Sequence, residues 1–225
     1  YINNAEISHS ATAVSPFIAN SWHAASVYYW PKQGSLSFFA YTPYDVAATC
    51  SNTTGIVAAD YDVDATANIN KDFMVADLVT GIKANTTTYT FNGVPTLFRH
   101  KLCTVGFTVK TDANYAPGLV GTTYAKGDRL YELKSITIKN VSSKATFTQG
   151  IAAPASAGAW ESYGTADKRY SIYTAPTTPL VINTTANAAK TLTQDTFMPQ
   201  VFTTGAASDA VVEVVYTIKT FTQAG

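Results

Sequence analysis

The sequence predicts an all-β protein built from antiparallel strands, on the strength of two observations. Apolar residues recur at every second position in several short segments, which is the spacing of a strand with one buried face. Gly, Pro and Asn separate these segments at positions typical of turns. Long amphipathic helices are hard to find, so the pattern favours stacked antiparallel sheets over alternating β/α units.

The N-terminal half contains the first predicted strands. Two strands on either side of a turn at 31–34 (PKQG) have alternating faces, formed by Ala25, Val27 and Tyr29 and by Leu36, Phe38 and Ala40. Residues 86–91 are almost all β-branched or aromatic, which suits a strand. The segment 71–82 (KDFMVADLVTGI) is open to two interpretations, a short helix or an irregular strand.

Later segments alternate more clearly. Residues 103, 105, 107 and 109 share one face at period two, and Ile136 and Ile138 alternate with polar neighbours. The clearest pattern lies near the C-terminus, where one face of a half-buried strand is formed by Val212, Val214, Tyr216 and Ile218.

The predicted strands number about eleven, more than the seven of a sandwich of about 100 residues. The sequence therefore predicts two sandwiches in tandem, an N-terminal domain at 1–118 and a C-terminal domain at 119–225. The boundary is placed in 112–129, which is rich in Gly, Pro and Ala and lacks strand periodicity.

Composition excludes several classes of protein. The 225 residues carry 15 basic and 15 acidic side chains, and charged residues make up only 13%. A chain without a basic excess is not a general nucleic-acid binder, so we expect no nucleic acid among its partners. No run of 18 apolar residues occurs, so we expect no transmembrane segment. The chain begins at Tyr1 rather than Met, which would fit either a trimmed sequence or a processed mature protein.

The residues that carry catalysis are scarce. The histidines at 9, 23 and 100 lack metal-ligand spacing, and no phosphate-binding loop or nucleophile elbow occurs. Carboxylates are few and scattered, which argues against a hydrolase without eliminating one. We therefore predict no catalytic, cofactor or metal site, and no enzyme. One alternative stays open: Asp60, Asp62 and Asp64 would share a strand face and could hold Ca²⁺, or could form a solvated turn.

Two other features have more than one interpretation. Cys50 and Cys103 could be buried thiols that pack as small hydrophobic side chains, a disulfide closing a long loop, or a reactive thiol. The aromatic-rich stretch 22–44 has adjacent rings that point to opposite faces of a strand, so one set must enter the core. The other set could cover a loop, contact a partner or form a glycan-binding platform.

Five short segments follow one another along the chain: 27–43 (VYYWP…LSFFAYTP), 77–79 (DLV), 97–105 (LFRHKLCTV), 136–141 (ITIKNV) and 197–200 (FMPQ). In this order they resemble segments of the fimbrillin family of bacterial pilus subunits. The resemblance implies two tandem transthyretin-like β-sandwich domains in a subunit of a type V pilus. It also implies removal of an N-terminal strand by a trypsin-like protease, followed by donor-strand exchange between subunits.

The resemblance sets the functional expectations. We expect an extracellular structural protein of an outer-membrane pilus, whose partners are other pilin subunits, with a homopolymer favoured. A host or bacterial surface receptor is a further possible partner. The strand with Val212, Val214, Tyr216 and Ile218 could be internal to the second sandwich or the donated strand, and the family order favours internal. The alternative function is a secreted or cell-surface glycan-binding tip adhesin.

Overall fold

A computed structural model describes residues 2, 4–65, 68, 71–83, 93–112, 125–151, 158–182, 196–202 and 209–223. All regular secondary structure in these residues is β-strand, and the pairings between the strands are antiparallel, so the predicted all-β class is confirmed. None of the described residues forms a helix long and apolar enough to cross a membrane.

The strands belong to two compact units. The first unit comprises residues 1–102 and 145–162, and the second comprises 103–144 and 163–225. The predicted boundary between 118 and 119 falls in residues 113–124, outside the described residues. That boundary and the transthyretin-like tandem arrangement stay predictions.

The first unit contains eleven described strands in four small sheets, with the orders β1-β2, β3-β8, β4-β7-β9 and β5-β6-β11-β12. Their bounds are β1 Ile7–Ser10, β2 Ser21–Ala24, β3 Leu36–Phe38, β4 Tyr41–Thr42, β5 Thr49–Ser51, β6 Gly55–Asp62, β7 Met74–Ala76, β8 Val79–Ile82, β9 Phe98–His100, β11 Lys144–Gln149 and β12 Ala159–Glu161.

The sequence predicted strands or an ambiguous element at three places in this unit. The strand expected at 24–30 is wrong, because β2 ends at Ala24 and the following residues up to 35 are not strand. The ambiguous segment 71–82 forms β7 and β8. The strand expected at 86–91 lies outside the described residues.

Aromatic side chains form the centre of the first unit. Phe73 and Phe147 are fully buried, and their ring centroids lie 5.5 Å apart at nearly perpendicular planes. The ring of Trp160 lies 5.2 Å from Phe147, and its indole N–H donates to the carbonyl of Lys101 at 2.6 Å. Burying such rings supplies most of the hydrophobic stabilisation available to a small unit.

Gly55 is a position where we expect a single methyl group to disrupt this unit. Its φ is +75°, and a Cβ there would overlap the carbonyl oxygen of Gln149 on the neighbouring strand β11. Gly34 also has a positive φ, of +85°, but no atom lies within 4 Å of its Cβ position. We expect Gly55→Ala to lower the free energy of unfolding by about 2–4 kcal/mol, and Gly34→Ala by about 1 kcal/mol, because only the first adds a steric clash to the backbone strain. Urea denaturation followed by tryptophan fluorescence measures the difference, and equal losses would contradict the predicted clash.

The second unit is organised around one long strand, β10, Arg129–Val141. Strand β15, Val211–Thr220, runs along one side of β10. Strands β13, Lys168–Thr174, and β14, Leu180–Ile182, pair with two successive parts of β10. Side chains from these strands and from Phe197 form the core of the unit: Leu133, Ile136, Ile138, Val141, Ile172 and Ile182.

The segment 103–109 packs against this core. Its exposure alternates along the chain, and Cys103, Val105, Phe107 and Val109 all contact the core cluster, which confirms the predicted shared face. Cys103 is held by two backbone hydrogen bonds with Phe197, of 3.1 and 2.7 Å. Both cysteines are free thiols, so the disulfide alternative is not realised.

Candidate functional site

The predicted strand-pairing residues lie on β15, and their face can be read from the register with β10. Val212 pairs with Ile138, Val214 with Ile136, Tyr216 with Leu133 and Ile218 with Tyr131. Directly opposite residues of an antiparallel pair point to the same side of the sheet. Because Leu133, Ile136 and Ile138 are at most 3% exposed, the four residues of β15 stand on the core side of this sheet.

These four side chains are nevertheless not covered. Their exposed fractions run from 40% for Val212 to 53% for Tyr216, although three of their four neighbours on β10 are buried and the fourth, Tyr131, is half-buried. We call this row of Val212, Val214, Tyr216 and Ile218 the open face. An apolar row that continues a core surface but stays half exposed is typical of a site that another chain covers.

A cavity adjoins the open face. It has a volume of about 250 Å³ and is lined mainly by apolar groups, including Cys103, Ile138 and Tyr170. Ile138 also pairs with Val212, so the cavity and the open face are neighbours on one sheet. A cavity of about 150 Å³ with such a lining accommodates benzene, so this one has room for more than a single small side chain.

The segment 197–200, noted in the sequence only for its family resemblance, forms one wall of the cavity. The amide of Gln200 fixes it, because Oε1 accepts from the N–H of Ser142 and Nε2 donates to the carbonyl of Ser142, each at 3.0 Å. The hydroxyl of Tyr163 donates to the carbonyl of Pro199 at 2.7 Å. Sequence reasoning missed this wall, since its partners are far apart along the chain.

Ion pairs on the other side of the sheet attach β15 to β10. Lys219 donates to Glu132 at 2.6 Å, and Lys139 pairs with Glu213. The hydrogen bond from Lys219, and then the nearby charges of Lys219 and Lys134, hold the pKa of Glu132 below its ordinary value of 4.5.

This depressed pKa predicts a pH dependence. A carboxyl whose pKa falls on folding stabilises the fold above its unfolded pKa, and this contribution is lost as the pH falls from about 4.5. We therefore expect Glu132→Gln to lower the melting temperature more at about pH 7 than at about pH 3, because the wild-type carboxyl gains protons as the pH falls below 4.5. Equal losses at both pH values would contradict the assigned charge interaction.

The thiol of Cys103 lies at the cavity in a partly buried environment that affects its reactivity. Cys103 is half-buried, its thiol donates to the carbonyl of Phe197 at 3.4 Å, and burial raises its pKa. Burial also raises the pKa of Cys50, which lies on β5 in the first unit. The two thiols therefore start from similar chemical states and lie in different units.

The aromatic stretch 22–44 is only partly core. Trp22 and Tyr29 are 72% and 77% exposed. Trp30 is less exposed and contacts Phe38, with ring centroids 5.7 Å apart. Trp22 lies directly opposite His9 on the two-stranded sheet β1-β2, and their rings are 5.4 Å apart.

The calcium alternative gains no support. Strand β6 ends at Asp62, whose carboxylate accepts from the backbone N–H of Asp64 at 3.1 Å, as in a local turn. Within the part of the chain that the structure describes, no three His, Cys, Asp or Glu side chains are grouped so that they could hold a metal ion.

Comparison with known proteins gives the family. The sequence of this chain matches the fimbrillin-like family over residues 1–223. No curated protein sequence matches it significantly. Among solved structures, a "putative cell adhesion protein" from Bacteroides uniformis is similar, with 18% sequence identity and a TM-score of 0.42, over 91% of this chain and 83% of that chain. Since the family match extends over almost the whole sequence, this chain belongs to the fimbrillin-like family.

Proposed function

We propose that this chain is a structural subunit of a bacterial surface fimbria and that its subunits join by donor-strand exchange. In this proposal, a strand from a neighbouring subunit lies over the open face and places side chains in the adjoining cavity. The observation that carries it is the half-exposed row of Val212, Val214, Tyr216 and Ile218, which continues a buried core surface. Membership of the fimbrillin-like family supports the fimbrial role.

The energetics favour such an exchange. Full burial of one large apolar side chain contributes about 1.5–3 kcal/mol, so covering the exposed half of four contributes about 3–6 kcal/mol. Side chains of the donor strand that fill the cavity add to this. Ordering the donor strand offsets part of the sum. The balance suits a contact that persists under mechanical load.

The finer parts of the proposal follow from the family resemblance. The fimbria would be a type V pilus of the outer membrane, extracellular, non-enzymatic and built mainly from copies of this chain. A trypsin-like protease would remove an N-terminal strand first.

Electron microscopy of the producing cells with a gold-labelled antibody against this chain tests the proposal. Continuous label along filaments is the expected result. Filaments without label, or an absence of filaments where the chain is produced and processed, would overturn it. N-terminal sequencing of subunits extracted from the filaments then tests the proteolytic step, which predicts that the subunits lack an N-terminal segment of their precursor.

The exposed rings of Trp22 and Tyr29 favour a second candidate, a glycan-binding tip adhesin. Exposed aromatic rings supply flat apolar surfaces on which a sugar ring can stack. Label confined to filament ends, together with oligosaccharide binding that is lost in Trp22→Ala and Tyr29→Ala, would support this candidate over a stalk subunit.

A further inference from the structure

Strand β15 has one edge that is free within the described part of the chain. It pairs with β10 along its whole length, and no other described strand pairs with it. Just beyond it, Phe221 accepts from the N–H of Gly127 and donates to the carbonyl of Asp128, so the backbone of Phe221 faces β10. Backbone direction alternates along a strand, so the N–H and C=O groups of Val212, Val214, Tyr216 and Ile218 point away from β10.

This edge is complementary to a second copy of itself. We propose that β15 pairs antiparallel with β15 of another copy of this chain, around a twofold axis at Tyr216. Each Tyr216 then exchanges two backbone hydrogen bonds with its counterpart, and Val214 lies opposite Ile218 of the second copy. All the residues paired in this way have backbone groups that point outward, as a ladder requires.

Charge selects this register among those that the backbone allows. With Tyr216 at the centre, Glu213 lies opposite Lys219 of the second copy, and the same pair recurs on the other side of the axis. Opposite charges on directly facing residues stabilise a strand pair. If the second copy shifts by two residues, Glu213 lies opposite Thr217 or Phe221 and both ion pairs are lost. If it shifts by one residue, residues whose backbone groups point outward face residues whose backbone groups point toward their own β10, so the hydrogen bonds cannot form.

Ion pairs within each copy extend the row of charged residues formed between the two copies. Glu213 already contacts Lys139, and Lys219 already contacts Glu132, yet the side chains of Glu213 and Lys219 remain 42% and 55% exposed. Pairing two copies therefore creates a row of alternating charge. It runs from Lys139 and Glu213 of one copy to Lys219 and Glu132 of the second copy.

The inference does not rest on the proposed strand exchange. Strand exchange uses the open face of the sheet, whereas self-pairing uses the backbone edge of β15. A twofold contact is closed, so it joins subunits in pairs and does not by itself propagate a filament. Within a fimbria it would link subunits, or two filaments, side by side.

Cross-linking of the purified full chain tests the register. In the proposed pair the two Tyr216 Cα atoms are about 5.5 Å apart, and the two Val212 Cα atoms, eight residues out of register, are about 27 Å apart. We expect a short bismaleimide to convert Tyr216→Cys into a covalent dimer and to leave Val212→Cys and the wild-type chain, with its two native thiols, as monomers. Equal cross-linking of the Tyr216→Cys and Val212→Cys variants, or none in either, would overturn the proposal.

Sedimentation equilibrium with a proline variant tests the edge itself. Tyr216→Pro removes an N–H that points away from β10, so the pairing with β10 should survive and the melting temperature should change little. The dimer loses two hydrogen bonds at its centre, and we expect its dissociation constant to rise roughly thirtyfold. Tyr216→Ala keeps the N–H and serves as the matched control. A wild-type chain that stays monomeric, or equal weakening by Pro and Ala, would contradict edge pairing.

Discussion

A Val214→Asp subunit is expected to fold and to fail in filament assembly, whereas a Val215→Asp subunit is expected to fold and to assemble. The two valines are adjacent on β15 and almost equally exposed, at 42% and 44%. They differ in the face they occupy, because Val214 stands beside buried Ile136 on the open face and Val215 points to the other side of the sheet. A donor strand would bury the new carboxylate at 214 without a partner, which costs several kcal/mol and weakens assembly by at least about a hundredfold.

Assembly of the two variants is measured by the yield of filaments from purified subunits and by electron microscopy. The melting temperature of each isolated subunit is the folding control, and we expect both to remain close to the wild type because both side chains are half exposed. Equal assembly of the Val214→Asp and Val215→Asp subunits would contradict the role proposed for the open face.

Phe147→Ala is expected to produce the largest loss of stability, about 3–5 kcal/mol in the first unit. Phe147 is fully buried, and its ring contacts Phe73 and Trp160. Removing the ring leaves a cavity between neighbours that cannot fully close around it, so lost transfer energy and lost packing add together.

Tryptophan fluorescence during urea denaturation isolates this effect, because the three tryptophans at 22, 30 and 160 all belong to the first unit. Ile18→Ala is the matched control. Ile18 is 74% exposed in the same unit, so its removal should change stability by less than about 0.5 kcal/mol. Similar losses for Phe147→Ala and Ile18→Ala would contradict the position of Phe147 at the centre of the core.

The sequence was most informative where one face of a strand is apolar and the other polar. The row from Val212 to Ile218 predicted a strand with a shared face, and β15 has both. The same reasoning placed residues 103, 105, 107 and 109 on one face. All four contact the core, although their segment is extended chain of alternating exposure and not a continuous strand. An apolar residue at every second position shows which side chains of an extended segment face the core. It does not show which strand forms hydrogen bonds with that segment.

Where patterning misled, long-range contacts decided the structure. The alternation at 24–30 did not form a strand, and Tyr29 is among the most exposed large side chains of the described residues. The open face and the cavity were equally beyond sequence reasoning, because exposure depends on what lies across the sheet. The cavity brings Cys103 together with Ile138, Tyr170 and Phe197, which no local spacing relates.

The reactivity of Cys103 in assembled filaments tests the central claim most directly. Cys103 lines the cavity that the donor strand is proposed to fill, and Cys50 lies in the other unit as an internal control. Alkylation with a maleimide, followed by mass spectrometry of each thiol, compares isolated subunits with filaments. We predict that Cys103 reacts much more slowly in filaments while Cys50 reacts at the same rate in both. Equal rates for Cys103 in subunits and filaments would contradict occupation of the cavity on assembly.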